Sequence, residues 1–243
     1  MKRFEKGVTL IELVLVVTLL GLLSVAMFAA MRIGLSAFTK ADDKLMANRR
    51  AAGAQRILQS QLEGLMPVMA LCSAGAPGAG EASGGPRLPF FGGAPETLAF
   101  VSTFSLQEGW RGHPQVLQMF VIPGEENGVR LMVNETPYTG PLGAGRMCRP
   151  GESGTPQFVP PEAGPQSFVL ADKLAYCRFS YLAPKTAPEQ PDLWLLVWKL
   201  PVPPEAIRVE MAPLDPDPSR IQPLTITAPL HLHRDPMIPY ADY

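Results

Sequence analysis

The chain has 243 residues and nearly balanced charges, with 21 Lys and Arg, 22 Asp and Glu and a formal net charge of -1. Its 47% of apolar residues is enough to build a core, which excludes a disordered chain. The lack of a basic surplus argues against a nucleic-acid partner, because phosphates are neutralised by Lys and Arg. Three cysteines without CxxC spacing exclude a disulfide-rich scaffold and a zinc site.

The prolines divide the chain into two parts. All 27 of them lie at or after Pro67. A stretch without proline can run as one helix, whereas frequent prolines favour strands and loops. We therefore predict a helical N-terminal part that ends near Met66 and a strand-rich remainder.

Residues 8–31 form an apolar stretch with a single charged residue, Glu12. A helix of this length spans roughly 36 Å, enough to cross a hydrocarbon core of about 30 Å. We therefore predict a transmembrane helix over 8–31. Lys2, Arg3 and Lys6 precede it, so the positive-inside rule predicts a cytoplasmic N-terminus and an exported C-terminal part.

A cleaved secretory signal is the alternative for this segment. Residues 24–26, Ser-Val-Ala, have the small side chains of a signal peptidase site. The apolar region is long for a signal peptide, however, and Glu12 lies near its start, where a carboxylate opposes simple insertion. A signal peptide therefore does not explain why Glu12 stands in this apolar region.

The run KGVTLIEL at residues 6–13 combines the end of a short basic leader, a glycine, and Thr-Leu-Ile-Glu at the head of a long apolar run. This combination resembles the leader of type IV prepilins and of type II secretion pseudopilins. The resemblance implies that a prepilin peptidase cuts between Gly7 and Val8, removing residues 1–7, and that the new amine of Val8 is methylated. Val8 stands where that family usually has Phe.

Glu12 is a functional candidate because an unpaired carboxylate in hydrocarbon is costly. In the pilin-like family, the corresponding Glu is thought to meet the N-terminal amine of a neighbouring subunit and so to fix the axial register of the helices. The resemblance therefore implies an assembly role for Glu12. The alternative is a hydrated carboxylate among the lipid headgroups with no role.

The helical pattern continues beyond the membrane segment. Leu58, Leu62, Leu65 and Met69 recur at spacings of four, three and four, which predicts an apolar face. We predict that residues 32–66 form the second half of the same helix and pack against the exported domain.

After the helix, residues 67–96 are rich in Gly, Pro and Ala and predict a loop, and residues 97–243 predict a β-rich domain. Within Ala206–Met211 the alternation places Ile207, Val209 and Met211 inward. The predicted fold class is α+β, with one long N-terminal helix packed on antiparallel sheet. The predicted strands are 97–104, 115–122, 129–134, 168–182, 193–200, 206–211 and 224–232.

Five blocks in the β-rich part narrow the resemblance: 168–172, 178–182, 194–198, 200–201 and 207–209. Their order is similar to that in the J-type minor pseudopilin of the type II secretion system. The K-type subunit fits less well, because it usually lacks the acid that Glu12 supplies.

The resemblance implies a pilin-like fold and a structural subunit, without enzymatic activity, at the tip of the pseudopilus. The implied partners are the I-, K- and H-type minor pseudopilins, the major pseudopilin and the prepilin peptidase. The implied location is the inner membrane, with one crossing and a periplasmic domain. Two other readings stay open: a minor pilin of a type IV pilus or DNA-uptake system, and a membrane-anchored periplasmic enzyme or binding domain.

The cysteines are interpreted from their surroundings. Cys72 and Cys148 lie in loop-like sequence in an expected oxidising compartment, which favours a disulfide between them. Cys177 alternates with Ala175, Phe179 and Tyr181, which predicts a buried free thiol.

The remaining candidate residues lead us to expect no catalytic site, no metal site and no cofactor. His231 and His233 share a strand face, but two ligands do not make a metal site. Asp215 and Asp217 alternate with prolines, which favours a turn over a calcium loop. In the predicted strand 193–200, Trp194 and Trp198 are four apart and are predicted to share a strand face. We predict that this face packs under the helix, with a partner-binding surface as the alternative.

Overall fold

The structure is a computed structural model that describes residues 9–72, 85–106, 111–151, 154–185, 187, 189–215 and 224–230. Its class is α+β, as predicted, with one long N-terminal helix followed by a large antiparallel sheet, an arrangement consistent with a pilin-like fold. The chain divides into two compact units, one up to Arg49 and one from Arg50 onwards.

Helix α1 runs without interruption from Leu10 to Glu63, over 54 residues. The prediction of one continuous helix from the apolar segment into the second half is therefore confirmed over this range. Its predicted end at Met66 was wrong, because Leu65 and Met66 form a strand. Met69 likewise belongs to a strand and not to the helical face.

The end of α1 is fixed by the sheet. The last carbonyls of a helix have no partner within it, and two hydroxyl side chains supply donors here. Ser102 Oγ donates to the Gln61 carbonyl (3.1 Å), and both the backbone N–H and the hydroxyl of Thr103 donate to the Gly64 carbonyl (2.8 and 3.2 Å). A Cβ at position 64 would lie 2.8 Å from Ser102 Oγ, so glycine permits this approach.

Thirteen strands and one further short helix follow in the described part of the chain. Helix α2 is Pro141–Gly145, and a 3-10 turn spans Glu125–Asn127. The strands are β1 Leu65–Met66, β2 Met69–Leu71, β3 Arg87–Pro89, β4 Gly92–Gly93, β5 Thr97–Phe104, β6 Arg111–Pro123, β7 Val129–Pro137, β8 Cys148–Pro150, β9 Pro156–Phe158, β10 Phe168–Leu182, β11 Trp194–Leu195, β12 Ala206–Pro213 and β13 Leu224–Pro229.

Nine of these strands form one sheet in the order β1-β5-β6-β7-β10-β12-β13, with β4 paired to β5 and β11 paired to β10. Every pairing is antiparallel. Strands β2 and β3 form a separate pair, as do β8 and β9. Together with α2 they supply a second layer over one end of the sheet.

Side chains alternate between two cores on opposite faces of the sheet. In β5, Phe100 joins the main core with Leu58 and Leu62 of α1, whereas Val101 joins the second core with Val68 and Ala70. Leu58 and Leu62 are fully buried, so the predicted helical face is confirmed at these two positions. Ile207, Val209 and Met211 are buried as predicted.

The predicted strands 97–104 and 168–182 have the bounds of β5 and β10. Those at 115–122, 129–134 and 206–211 extend by a few residues, to the bounds of β6, β7 and β12. The last predicted strand, 224–232, is observed up to Pro229, and residues 231–232 lie outside the described residues.

The prediction that 67–96 forms a loop was wrong for its two ends. Strands β2 and β3 pair with each other, β4 pairs with β5, and Leu88 and Phe90 are buried in the second core. Apolar side chains at these positions pack despite the Gly- and Pro-rich composition around them. Residues 73–84 lie outside the described residues.

The predicted strand 193–200 was also wrong after Leu195. Trp198 is buried against Phe91 and Tyr181, its backbone N–H donates to Gly93 O (2.8 Å), and its indole N–H donates to Val202 O (2.8 Å). These bonds turn the chain inward, so Trp194 and Trp198 do not share a strand face. The expected packing holds for Trp198 alone.

We predict that Leu58→Ala lowers the free energy of unfolding by about 2–5 kcal/mol, because the truncation leaves a cavity where α1 meets the sheet. Leu45→Ala is the matched control: Leu45 is exposed on the same helix, and its truncation should change stability by about 0.5 kcal/mol or less. Urea denaturation of the full chain in detergent, followed by tryptophan fluorescence, measures both. Equal losses would contradict the described packing.

Candidate membrane-spanning and assembly site

The first part of α1 is apolar on all sides and covered by nothing in the described structure. Its large apolar side chains from Leu10 to Met31 are between 52% and 83% exposed. Exposing one such side chain to water costs about 1.5–3 kcal/mol, and a helix that is apolar all round is normally buried or membrane-spanning. The segment is long and apolar enough to cross a membrane.

The hydroxyl groups in this segment are paired within the helix. Thr18 Oγ1 donates to the Leu15 carbonyl (2.9 Å), and Ser24 Oγ donates to the Leu20 carbonyl (2.8 Å). Such bonds satisfy hydroxyl donors without water. Glu12 is the one charged side chain between Leu10 and Met31.

Glu12 lies in the first turn of α1. The Thr9 carbonyl accepts hydrogen bonds from the backbone N–H groups of Glu12 (3.1 Å) and Leu13 (3.2 Å), which places the start of the helix. A carboxylate near a helix N-terminus interacts favourably with the helix dipole. The exposed Glu12 side chain has no hydrogen bond or ion pair among residues 9–72 or in the rest of the described chain, so it is free to accept an external cation.

The processing residues predicted from the motif, Gly7 and Val8, lie outside the described residues. The described part of the candidate site therefore begins at Thr9. His231, His233 and Asp217 also lie outside the described residues, whereas Asp215 is the last residue of the described range that contains β12. Within that range, no group of three or more His, Cys, Asp or Glu side chains is placed to hold a metal ion.

The structure brings Cys72 and Cys148 together in a disulfide, with their Cα atoms 5.0 Å apart. Both are buried in the second core, Cys148 as the first residue of β8 and Cys72 directly after β2. They were predicted in loop-like sequence, but here the bond joins the end of the β2–β3 pair to the β8–β9 pair within the second layer. Such a bond stabilises the fold mainly by restricting the unfolded chain.

Cys177 is a buried free thiol, as predicted. Burial raises the pKa of its thiol to about 12, which keeps it neutral and unreactive. The expected alternation with Ala175 was wrong: a register shift between Leu174 and Tyr176 turns Leu174 inward and leaves Ala175 exposed. Beyond the shift, Phe179 and Tyr181 follow the predicted alternation.

Tyr181 connects the main core to the chain beside β4. Burial raises the pKa of its phenol, and the hydroxyl donates to the Ala94 carbonyl (3.0 Å) and lies 3.3 Å from the Thr97 carbonyl. Its ring fills the space beside Gly93, where a Cβ would lie 2.5 Å from the ring.

Sequence reasoning considered a partner surface at Trp194 but missed the arginines that lie beside it. They stand on the side of β10 and β12 that faces away from the main core, a surface that we call the arginine face. The Arg208 guanidinium carbon lies 3.7 Å from the centre of the Trp194 ring, and that of Arg178 lies 5.9 Å from the centre of the Tyr176 ring. The alternation that turns Ile207 inward also turns Arg208 outward. The alternation in the sequence could have shown that Arg208 points outward. It could not have shown the contact with Trp194, which belongs to another strand. The arginine face comprises Tyr176, Arg178, Ser180, Trp194, Arg208, Glu210, Thr225 and Thr227.

Comparisons with known proteins found no matching family model and no matching curated protein. The features that point to a function are the motif at residues 6–13, the unpaired Glu12 in an apolar helix, and the sheet that holds the end of that helix.

We predict that replacing Cys72 and Cys148 together by Ser lowers the free energy of unfolding by about 2–5 kcal/mol, the range for loss of a native disulfide. Urea denaturation with and without dithiothreitol provides the control, because reductant should destabilise the wild-type chain and leave the double variant unchanged. An equal response of both chains to reductant would argue against this pairing.

Proposed function

We propose that this chain is a minor pseudopilin, a J-type structural subunit at the tip of the pseudopilus of a type II secretion system. One observation carries the proposal: a single helix begins with an exposed apolar segment that has one carboxylate in its first turn, and the same helix ends inside the core of an antiparallel sheet. The leader-like run at residues 6–13 supports it.

Glu12 favours an assembly subunit over a simple membrane anchor. An anchor needs only apolar length, and a carboxylate in its first turns opposes insertion. A subunit that packs beside others in a filament can use the carboxylate, because the amine that cleavage creates on Val8 of a neighbour is a cationic partner. Such a pair is strengthened when the surrounding helices exclude water.

The proposed location is the inner membrane, with residues 1–7 cytoplasmic before cleavage and the β-rich domain in the periplasm. The basic residues before the apolar segment favour this orientation. The disulfide between Cys72 and Cys148 fits an oxidising compartment such as the periplasm. The proposed partners are the I-, K- and H-type minor pseudopilins, the major pseudopilin and the prepilin peptidase. In this role the subunit supports export of folded proteins across the outer membrane.

We predict that mass spectrometry of the membrane-extracted protein finds a mature chain that begins at N-methylated Val8, and that Gly7→Ala keeps residues 1–7 attached. The reason is that the peptidase is expected to require glycine before the cut. Gly34→Ala is the matched control, because a Cβ at Gly34 meets no atom within 4 Å, and this variant should be processed normally.

A mature chain that keeps Met1, or one that begins after Ala26, would overturn the pseudopilin proposal. The first outcome favours an uncleaved membrane anchor, and the second favours a secretory signal peptide.

We predict that Glu12→Gln leaves membrane insertion and processing intact and reduces incorporation into the pseudopilus at least about tenfold, because the amide cannot pair with an amine as a carboxylate does. Glu63→Gln is the control: Glu63 is an exposed acid in the last turn of the same helix, where it accepts a hydrogen bond from Gln59. Incorporation is measured by cross-linking to the major pseudopilin in intact cells. Normal incorporation of Glu12→Gln would contradict the assembly role.

A further inference from the structure

The arginine face lies on the side of β10, β12 and β13 that points away from the main core. In register, Ser180 pairs with Arg208 and Arg208 with Thr227, and in the next row Arg178 pairs with Glu210 and Glu210 with Thr225. Arg178, Thr225 and Thr227 are exposed, and Tyr176 is 40% exposed. Two arginines therefore stand among short polar side chains on a solvent-facing sheet.

Each arginine has an aromatic ring within cation–π range, and the guanidinium of Arg208 lies directly over its ring. A guanidinium that stacks on a ring gains a cation–π interaction and loses part of its rotational freedom before any partner arrives. Arg208 is the better fixed of the two, because its guanidinium carbon is only 3.7 Å from the Trp194 ring centre and both side chains are half-buried. Preorganised Arg and Trp side chains are the residue types that most often dominate binding energy at protein interfaces.

Neither arginine has a carboxylate partner in the described ranges. Glu210 lies opposite Arg178 in the strand register, but the two do not come within ion-pair distance, and Arg208 makes no ion pair either. The Nε atom of Arg208 is buried and has no hydrogen-bond acceptor. A half-buried guanidinium without an acceptor is unusual, since buried N–H groups are normally paired.

Two exposed apolar residues lie within two positions of Trp194 in the chain. Leu193 and Leu196 stand on either side of β11 and are 59% and 58% exposed. Aromatic rings and arginines beside exposed aliphatic side chains are the composition of a protein interface. A phosphate-rich surface fits less well, because the face carries only two arginines and has exposed apolar side chains beside it.

We propose that the arginine face binds a protein segment that presents carboxylate side chains next to aliphatic ones. The carboxylates accept hydrogen bonds from the guanidinium groups of Arg208 and Arg178, and the aliphatic side chains cover Leu193 and Leu196. Charge complementarity sets the acidic character of the partner, and the Trp194 ring sets the position of Arg208. This inference concerns the β-rich unit alone and does not depend on the role of Glu12.

The test uses the full chain in nanodiscs of zwitterionic lipid and a fluorescein-labelled peptide of alternating Glu and Leu, with the Gln and Leu peptide as its uncharged counterpart. We expect the Glu peptide to bind the wild-type chain at least about tenfold more tightly than the Gln peptide does, since charge-assisted hydrogen bonds to arginine are lost in the latter. Arg178→Gln with Arg208→Gln should weaken binding of the Glu peptide by a similar factor.

The control variant is Arg130→Gln with Arg149→Gln, which removes the same charge from positions outside the arginine face; Arg130 is paired with Glu125, and Arg149 is exposed on β8. Its affinity should equal that of the wild type. Arg178→Gln alone serves as a second variant, because that exposed side chain can change without disturbing the core, and it should give a partial loss. Circular dichroism and thermal unfolding of every variant establish that it is folded.

Three results would overturn the proposal. The first is equal affinity for the Glu and Gln peptides, including no binding of either at millimolar concentration. The second is an equal loss in the control variant, which indicates only general attraction to a charged domain. The third is arginine-dependent binding to phosphatidylglycerol vesicles without binding to the Glu peptide, which assigns the face to a lipid surface.

Discussion

The attachment of the end of α1 to strand β5 is the constraint on which the β-rich unit depends. Leu58 and Leu62 fill the main core beneath Phe100, and Ser102 and Thr103 bond the last helical carbonyls. Apolar burial provides the stabilisation, whereas the hydroxyl donors determine where the helix stops. Since β1 follows within two residues and pairs with the same strand, the helix and the sheet edge are fixed by one set of contacts.

Much of this architecture follows from local patterns in the sequence. The 54-residue helix could be predicted because its interior lacks proline and its segment up to Met31 is apolar apart from Glu12. Strands β5 and β10 could be predicted with their bounds, because apolar and aromatic residues recur along both segments and turn residues stand outside them. The irregular chain after Leu195 could not, because Trp198 bonds to Gly93, a residue more than a hundred positions earlier, and this long-range contact overrides the local preference for strand.

The candidate sites also differ in whether the sequence alone could reveal them. Glu12 could be found from the sequence because a carboxylate inside an apolar run contradicts its surroundings, and such a contradiction is visible without coordinates. Arg208 could not, since an arginine on the outward face of a strand is ordinary until Trp194 from another strand lies against it. For Cys72 and Cys148, the sequence supplied candidates for a bond but no measure of distance, and only the packing of β8 beside β2 places them 5.0 Å apart.

The positions of the three cysteines along the chain also determine the order in which they become available during synthesis. Cys148 follows Cys72 by 76 residues, an interval of about 4–15 s at roughly 5–20 residues per second. Cys177 is made later still, and its strand β10 buries it in the main core. The two cysteines of the native pair therefore precede the third along the chain, and the main core removes the third thiol from contact with either of them, so the folded domain itself disfavours the two wrong disulfides.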